Sequence, residues 1–203
     1  MDRDRAAEEL KALRQLMERP IRFSTMSGLS GVLAGAAALA GCTVGGYFSG
    51  HYSGRGALGA HMLIWAGVFL TALVATVVLT RLREIRKGMP LWSKIKERIL
   101  LIILPMFVAA AGLTGILVAR ELGQPGPEQW GLIPAIWMVL YGLALWQLGE
   151  FSPLEVRLLG AAFLGGGLVS AALGQQSPYW SLGVAFGGLH IVYGVVVWIR
   201  HGG

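Results

Sequence analysis

The chain has 203 residues, of which 55% are hydrophobic and 14% charged, with a formal net charge of +6 and a mean hydropathy of +0.62. Soluble domains carry about 25% charged and roughly 45–50% apolar residues, so an ordinary soluble globular fold is excluded. The single cysteine, Cys42, excludes an intrachain disulfide and a cysteine-based metal cluster.

Residues 5–18 set Leu10, Leu13, Leu16 and Met17 on one helical stripe, with charges around the rest, and stop before Pro20. This predicts an amphipathic cytoplasmic helix within a first unit, 1–22, ahead of a transmembrane unit, 23–203. A spanning helix takes roughly 20 mainly apolar residues. Spans are therefore predicted near 26–48, 59–80, 99–119, 131–148, 157–174 and 180–199, and all eleven carboxylates lie outside these runs or at their ends.

In the first span, Leu39-Ala40-Gly41-Cys42 has the form of a lipoprotein cleavage box. The leading segment is long and acidic, unlike a signal sequence, so the stretch reads as a small-residue helix that contains a cysteine. Gly88-Met89-Pro90 breaks the loop between the second and third spans, with Trp92 beside it as an interface anchor. Ser152-Pro153-Leu154-Glu155 reads as a capping box that opens the fifth helix, and Ser177-Pro178 opens the sixth. The fifth span carries the weakest signal, because Gly165, Gly166 and Gly167 lower helix propensity and Gln175 and Gln176 close it early.

Lysines and arginines are retained on the cytoplasmic side. Six precede the first span, seven (Arg81, Arg83, Arg86, Lys87, Lys94, Lys96 and Arg98) lie between the second and third, and Arg157 and Arg200 add to the same side. Only Arg55 and Arg120 face the other way, which places both termini in the cytoplasm. The resulting fold class is all-α, a six-helix transmembrane bundle of three hairpins. Being juxtamembrane and interleaved with Glu84 and Glu97, the cations fit orientation and anionic-lipid contact rather than nucleic acid.

Small residues recur at helical spacing: Ser27, Gly31 and Gly35 in the first span, Ala162, Gly166, Ser170 and Gly174 in the fifth, and Gly183 and Gly187 in the sixth, with Gly194 further along. Such faces let backbones approach where lipid supplies no hydrophobic force between helices. They predict that the first, fifth and sixth helices form a close-packed centre. A weak repeat is also visible: Tyr141-Gly142 with Trp146 matches Tyr193-Gly194 with Trp198, and Arg98-Ile99-Leu100 echoes Arg157-Leu158-Leu159.

His190 is the one histidine near the middle of a span, and it shares a face with Gly187 and Gly194. It should therefore point inward, as an interhelical hydrogen-bonding group, as part of a pathway with Tyr193 and Tyr141, or as a cofactor ligand. No cofactor is predicted outright. Haem between two histidines is disfavoured, since His61 sits about five residues nearer the outer face, at ~1.5 Å per residue; haem or pigment on His190 alone stays open. No HExxH, Walker loop, nucleophile elbow or Ser-His-carboxylate set is present, so the chain does not read as an enzyme.

Three stretches resemble a bacterial family of small six-span membrane proteins that has no established activity. They are residues 18–31, containing Ser27-Gly28-Leu29-Ser30-Gly31, then Leu140-Tyr141-Gly142-Leu143-Ala144-Leu145, then Phe186-Gly187-Gly188-Leu189-His190-Ile191-Val192-Tyr193-Gly194. Ala185 stands where the family has glycine. The resemblance implies a bacterial cytoplasmic (inner) membrane and adds weight to His190. The leading expectation is a non-catalytic accessory or scaffolding subunit, whose partners are the bilayer and other membrane subunits or a second copy. A small transporter or channel, or a redox or pigment-binding subunit, are the alternatives.

Overall fold

The computed structural model describes residues 27–51, 54–123, 130–173 and 178–201. The amphipathic segment expected at 5–18, Gly174 and the loop holding Pro125 and Pro127 lie outside them. Among the described residues all regular structure is helical: α1 (Gly28–Ser49), α2 (Arg55–Arg86), α3 (Lys94–Gly123), a 3-10 turn (Trp130–Leu132), α4 (Ile133–Leu148), α5 (Leu154–Leu173), α6 (Pro178–Leu182), a π-helical stretch (Gly183–Leu189) and α7 (His190–His201). The last three run on without a break and are treated together as the final helix.

Five helices are long and apolar enough to cross a membrane, namely α1, α2, α3, α5 and the final helix over Tyr179–Arg200. With 16 residues, α4 is shorter, about 24 Å at ~1.5 Å per residue against a hydrocarbon core of ~30 Å. It is also among the most enclosed, burying Ile133, Pro134, Ala135, Met138, Gly142, Ala144, Leu145 and Leu148. The break expected at Gly88-Met89-Pro90 falls between α2 and α3, where Gly88 has φ +64°, a conformation glycine adopts without steric cost. Pro105 lies inside α3, where it can donate no backbone hydrogen bond.

Two seams hold the helices together. In the first, α1 lies on the final helix. A Cβ added to Gly28 would stand 2.5 Å from the Gly194 carbonyl oxygen and 2.6 Å from Trp198 N, and one added to Gly194 would stand 2.5 Å from the Gly28 oxygen and 2.6 Å from Val32 N. In the second, α4 lies on α5, with the Gly142 position 2.8 Å from the Gly160 oxygen and 2.6 Å from Leu164 N, and the Gly160 position 2.9 Å from the Gly142 oxygen and 2.6 Å from Trp146 N. The residues correspond at identical spacing: Gly28, Val32 and Gly35 with Gly160, Leu164 and Gly167 on one side, Ile191, Gly194 and Trp198 with Val139, Gly142 and Trp146 on the other. The Tyr-Gly…Trp repeat thus marks two similarly built contacts. In each, a Cα–H of one glycine faces the carbonyl of the other, a weak hydrogen bond of roughly 0.5–1 kcal/mol added to close packing.

The expected clustering of the first, fifth and sixth helices is corrected here, because the closest partner of α5 is α4. On α5 the buried face is Val156, Leu159, Gly160, Phe163 and Gly167. Ala162 is exposed, and Gly166 and Ser170 are only half-buried. Two small-residue stripes compete on this helix, and Phe163 decides between them by turning its ring inward. A core of Met138, Leu145, Leu148, Val156, Leu159, Phe163 and Ala185 results.

Beyond these seams, α2 packs on α1 and α3 on α4, whereas α2 and α3 touch little. At one end Arg55 Nη2 donates to the Leu122 carbonyl at 2.9 Å. At the other, Lys96 Nζ donates to Glu84 Oε2 at 2.7 Å, with Arg81 Nη1 at 3.5 Å. Between them Phe69 meets Phe107, ring centroids 5.5 Å apart.

Alanine at Gly194 or Gly142 should cost about 1–3 kcal/mol of stability through overpacking. The same change at Gly165, where a Cβ meets nothing within 4 Å, should not lower the thermal midpoint in detergent and should raise it slightly through helix propensity. Glu84→Gln should destabilise by about 3 kcal/mol, the low end for breaking a buried pair, because the Lys96 side chain keeps 20% exposure. Glu84→Met with Lys96→Met should recover much of that loss in the same unfolding assay.

Candidate functional site

The polar centre is built where the final helix changes its winding. Gly183–Leu189 is π-helical and hands over to α-helix at His190. Such stretches are rare and frequently sit at functional sites. Three of the seven residues are glycines, which weakens local α-helical preference, while Gly187 lies against Leu39 and Gly35 of α1. His190 is 8% exposed.

His190 Nε2 and Tyr141 Oη, from α4, are 2.9 Å apart. With the proton on Nδ1 the tyrosine hydroxyl donates to Nε2, and with the proton on Nε2 the ring donates to the tyrosine oxygen. Nδ1 is buried beside the Ala185 and Phe186 carbonyls but has no partner in hydrogen-bond geometry among the described residues. Two rings wall the pair. Phe186 stacks on His190 with centroids 5.9 Å apart and planes at 14°, Phe163 meets His190 edge-on at 5.2 Å, and Phe163 meets Tyr141 at 4.9 Å. Tyr193 lies within electrostatic reach of Tyr141 and of Glu155, and Glu155 accepts from Arg200 Nη1 at 3.0 Å. Polar groups thus extend from the centre towards the first turn of α5.

On the opposite side the rings continue. Phe186 lies 6.3 Å from Trp65, Trp65 lies 6.3 Å from His61, and His61 meets Tyr179 at 5.2 Å. Trp65 and Phe186 therefore separate the two histidines. A crevice of about 10 Å³, lined by Met106, Phe107, Ala110, Trp137, Leu140 and Tyr141, approaches the pair from α3 and has room for about one water. Trp137 Nε1 there donates to Thr114 Oγ1 at 2.9 Å, tying α4 to α3.

Of the residues singled out in the sequence, the structure brings His190 and Tyr141 into contact and sets Tyr193 close by. Gly31, Gly35, Gly187 and Gly194 lie on the α1 seam, and Gly183 faces Cys42 Sγ, 3.2 Å from the position a Cβ would take. Ser27 is buried immediately before α1, while Gly166 meets only the end of Met138. The Cys42 thiol donates to the Tyr179 carbonyl at 3.3 Å. Sequence reasoning missed Phe163 and the burial of His61, 0% and 1% exposed. The signal for His61 was available, since Ala57, His61 and Trp65 repeat at one-turn spacing.

Among the described residues no group of three or more His, Cys, Asp or Glu side chains gathers as a metal site. Ligation of a haem or pigment by His190 Nε2 requires displacing Tyr141, and Nδ1 faces the backbone of its own helix. Comparison with known proteins gives no match: no protein-family model, curated protein or solved structure aligns with this chain.

Tyr141→Phe should cost about 0.6 kcal/mol, the average for a hydrogen bond between membrane helices, and no more than about 1.7 kcal/mol, the upper end. A double-mutant cycle with His190→Phe, read by denaturant unfolding in micelles, should return a coupling of that size. Zero coupling would show that the bond contributes nothing.

Proposed function

We propose that this chain is a non-catalytic integral membrane protein that serves as an accessory or scaffolding subunit of a larger membrane assembly. In this reading α4 completes six spans with its preceding 3-10 turn, the helices pair as three hairpins, and both termini face the cytoplasm of a bacterial inner membrane. The positive-inside distribution of Lys and Arg supports that orientation. The family resemblance of residues 18–31, 140–145 and 186–194 supports the bacterial assignment.

The observation that carries the reading is the closure of the polar centre. His190 Nε2 and Tyr141 Oη are spent on each other, and Phe163 and Phe186 pack against them. Interior chemistry is thereby directed at packing. The outward-facing surface lies on the two long helices, where Leu70, Leu73, Val74 and Val77 of α2 and Leu101, Leu104 and Val108 of α3 are all exposed. Their weak mutual contact leaves an apolar flank that a partner helix can enter by van der Waals packing.

A second reading, a small transporter or channel, is favoured by the line of polar groups His190, Tyr141, Tyr193 and Glu155. Under it, His190→Ala abolishes flux in liposomes; unchanged flux removes the idea.

Photocrosslinkers at Leu73 and Leu104, in protein expressed at its native level, should give one discrete protein adduct that survives purification in mild detergent. A lone monomer crosslinked only to lipid would sink the scaffolding proposal.

A further inference from the structure

The turn between α2 and α3 is held in shape from inside. Arg81 Nη1 donates to the Met89 carbonyl at 3.4 Å, Lys96 Nζ donates to the Leu91 carbonyl at 2.7 Å, and both cations also meet Glu84. Met89 N–H bonds back to the Glu84 carbonyl at 2.9 Å, across Gly88. Two basic residues are thus consumed in bracing the turn.

What the braced turn displays is a mixed surface. Arg86, Lys87 and Lys94 are exposed and make no ion pair among the described residues. Beside them Ile85, Met89, Leu91 and Trp92 are exposed at 57%, 38%, 68% and 60%. Glu97 is the exposed acid on the same stretch. Exposed tryptophan and leucine are costly in water but suit the headgroup level of a bilayer. Each cation near an anionic leaflet gains roughly 1 kcal/mol.

We propose that this turn is a binding site for anionic phospholipid, with Arg86, Lys87 and Lys94 on the phosphate and Met89, Leu91 and Trp92 inserted beside the glycerol region. The proposal rests on the membrane reading above and adds a lipid preference to it. The bracing matters because a fixed turn carries its exposed cations without first having to order a loop. Bulk negative surface charge would attract any basic segment, whereas a site retains individual lipids.

The test uses the full chain in bilayer discs of phosphatidylcholine, with and without phosphatidylglycerol, and measures apparent lipid affinity and the lipid retained in native mass spectra. Wild type should retain phosphatidylglycerol in preference to phosphatidylcholine. Arg86→Gln/Lys87→Gln/Lys94→Gln should lose about fivefold per cation, on the order of a hundredfold in all, and Arg86→Lys/Lys87→Arg/Lys94→Arg should keep the affinity. A loss within about twofold for the glutamine variant, equal retention of both lipids, or displacement of lipid by inorganic phosphate would overturn the proposal, the last by marking a free-anion site. A chain that enters discs without a preference overturns this inference alone; one that does not enter discs overturns the membrane reading with it.

Discussion

Helices in an apolar medium hold together only as far as their surfaces touch, and here two reciprocal glycine contacts set how closely they do so. Gly28 with Gly194, and Gly142 with Gly160, bring backbone against backbone, so that each carbonyl oxygen occupies the space a side chain would fill on the facing helix. Close approach multiplies dispersion contacts along the whole seam. The rest of the architecture hangs on these pairs. α2 leans on α1, α3 leans on α4, and the buried rings gather where α4, α5 and the final helix meet.

Several features of this arrangement are legible in the sequence because they arise from local chemistry. Apolar run length places the helices, Gly88-Met89-Pro90 places the break after α2, and Ser152-Pro153 and Ser177-Pro178 place the starts of α5 and α6. The glycines of α1 and the final helix are readable as a packing face for the same reason. The face of α5 is not. Gly165, Gly166 and Gly167 offer small residues on two sides of one helix, and the choice depends on where Phe163 finds partners, which is a property of α4 and the final helix.

The polar centre shows a similar division. His190 stands out as an ionisable group in an apolar run, and its spacing from Gly187 and Gly194 turns it inward. Its pairing with Tyr141, nearly fifty positions away in the chain, depends on the relative depth of two helices and on the widened winding of Gly183–Leu189. No single-helix pattern encodes either. The Tyr-Gly…Trp repeat is only partly informative, since its glycines mark equivalent contacts but neither of its aromatic positions is the ring that stacks on His190.

The bond deficit at Pro105 acquires a mechanical meaning beside the sparse contact between α2 and α3. Both helices are pinned at their ends, by Arg55 on the Leu122 carbonyl and by Lys96 on Glu84, and meet between those pins through Phe69 and Phe107. A beam fixed at its ends and weakened near its middle bows rather than tilts. Bending strain in α3 therefore concentrates near Pro105, on the stretch between its two ties to α2, where the ladder of backbone bonds is one short.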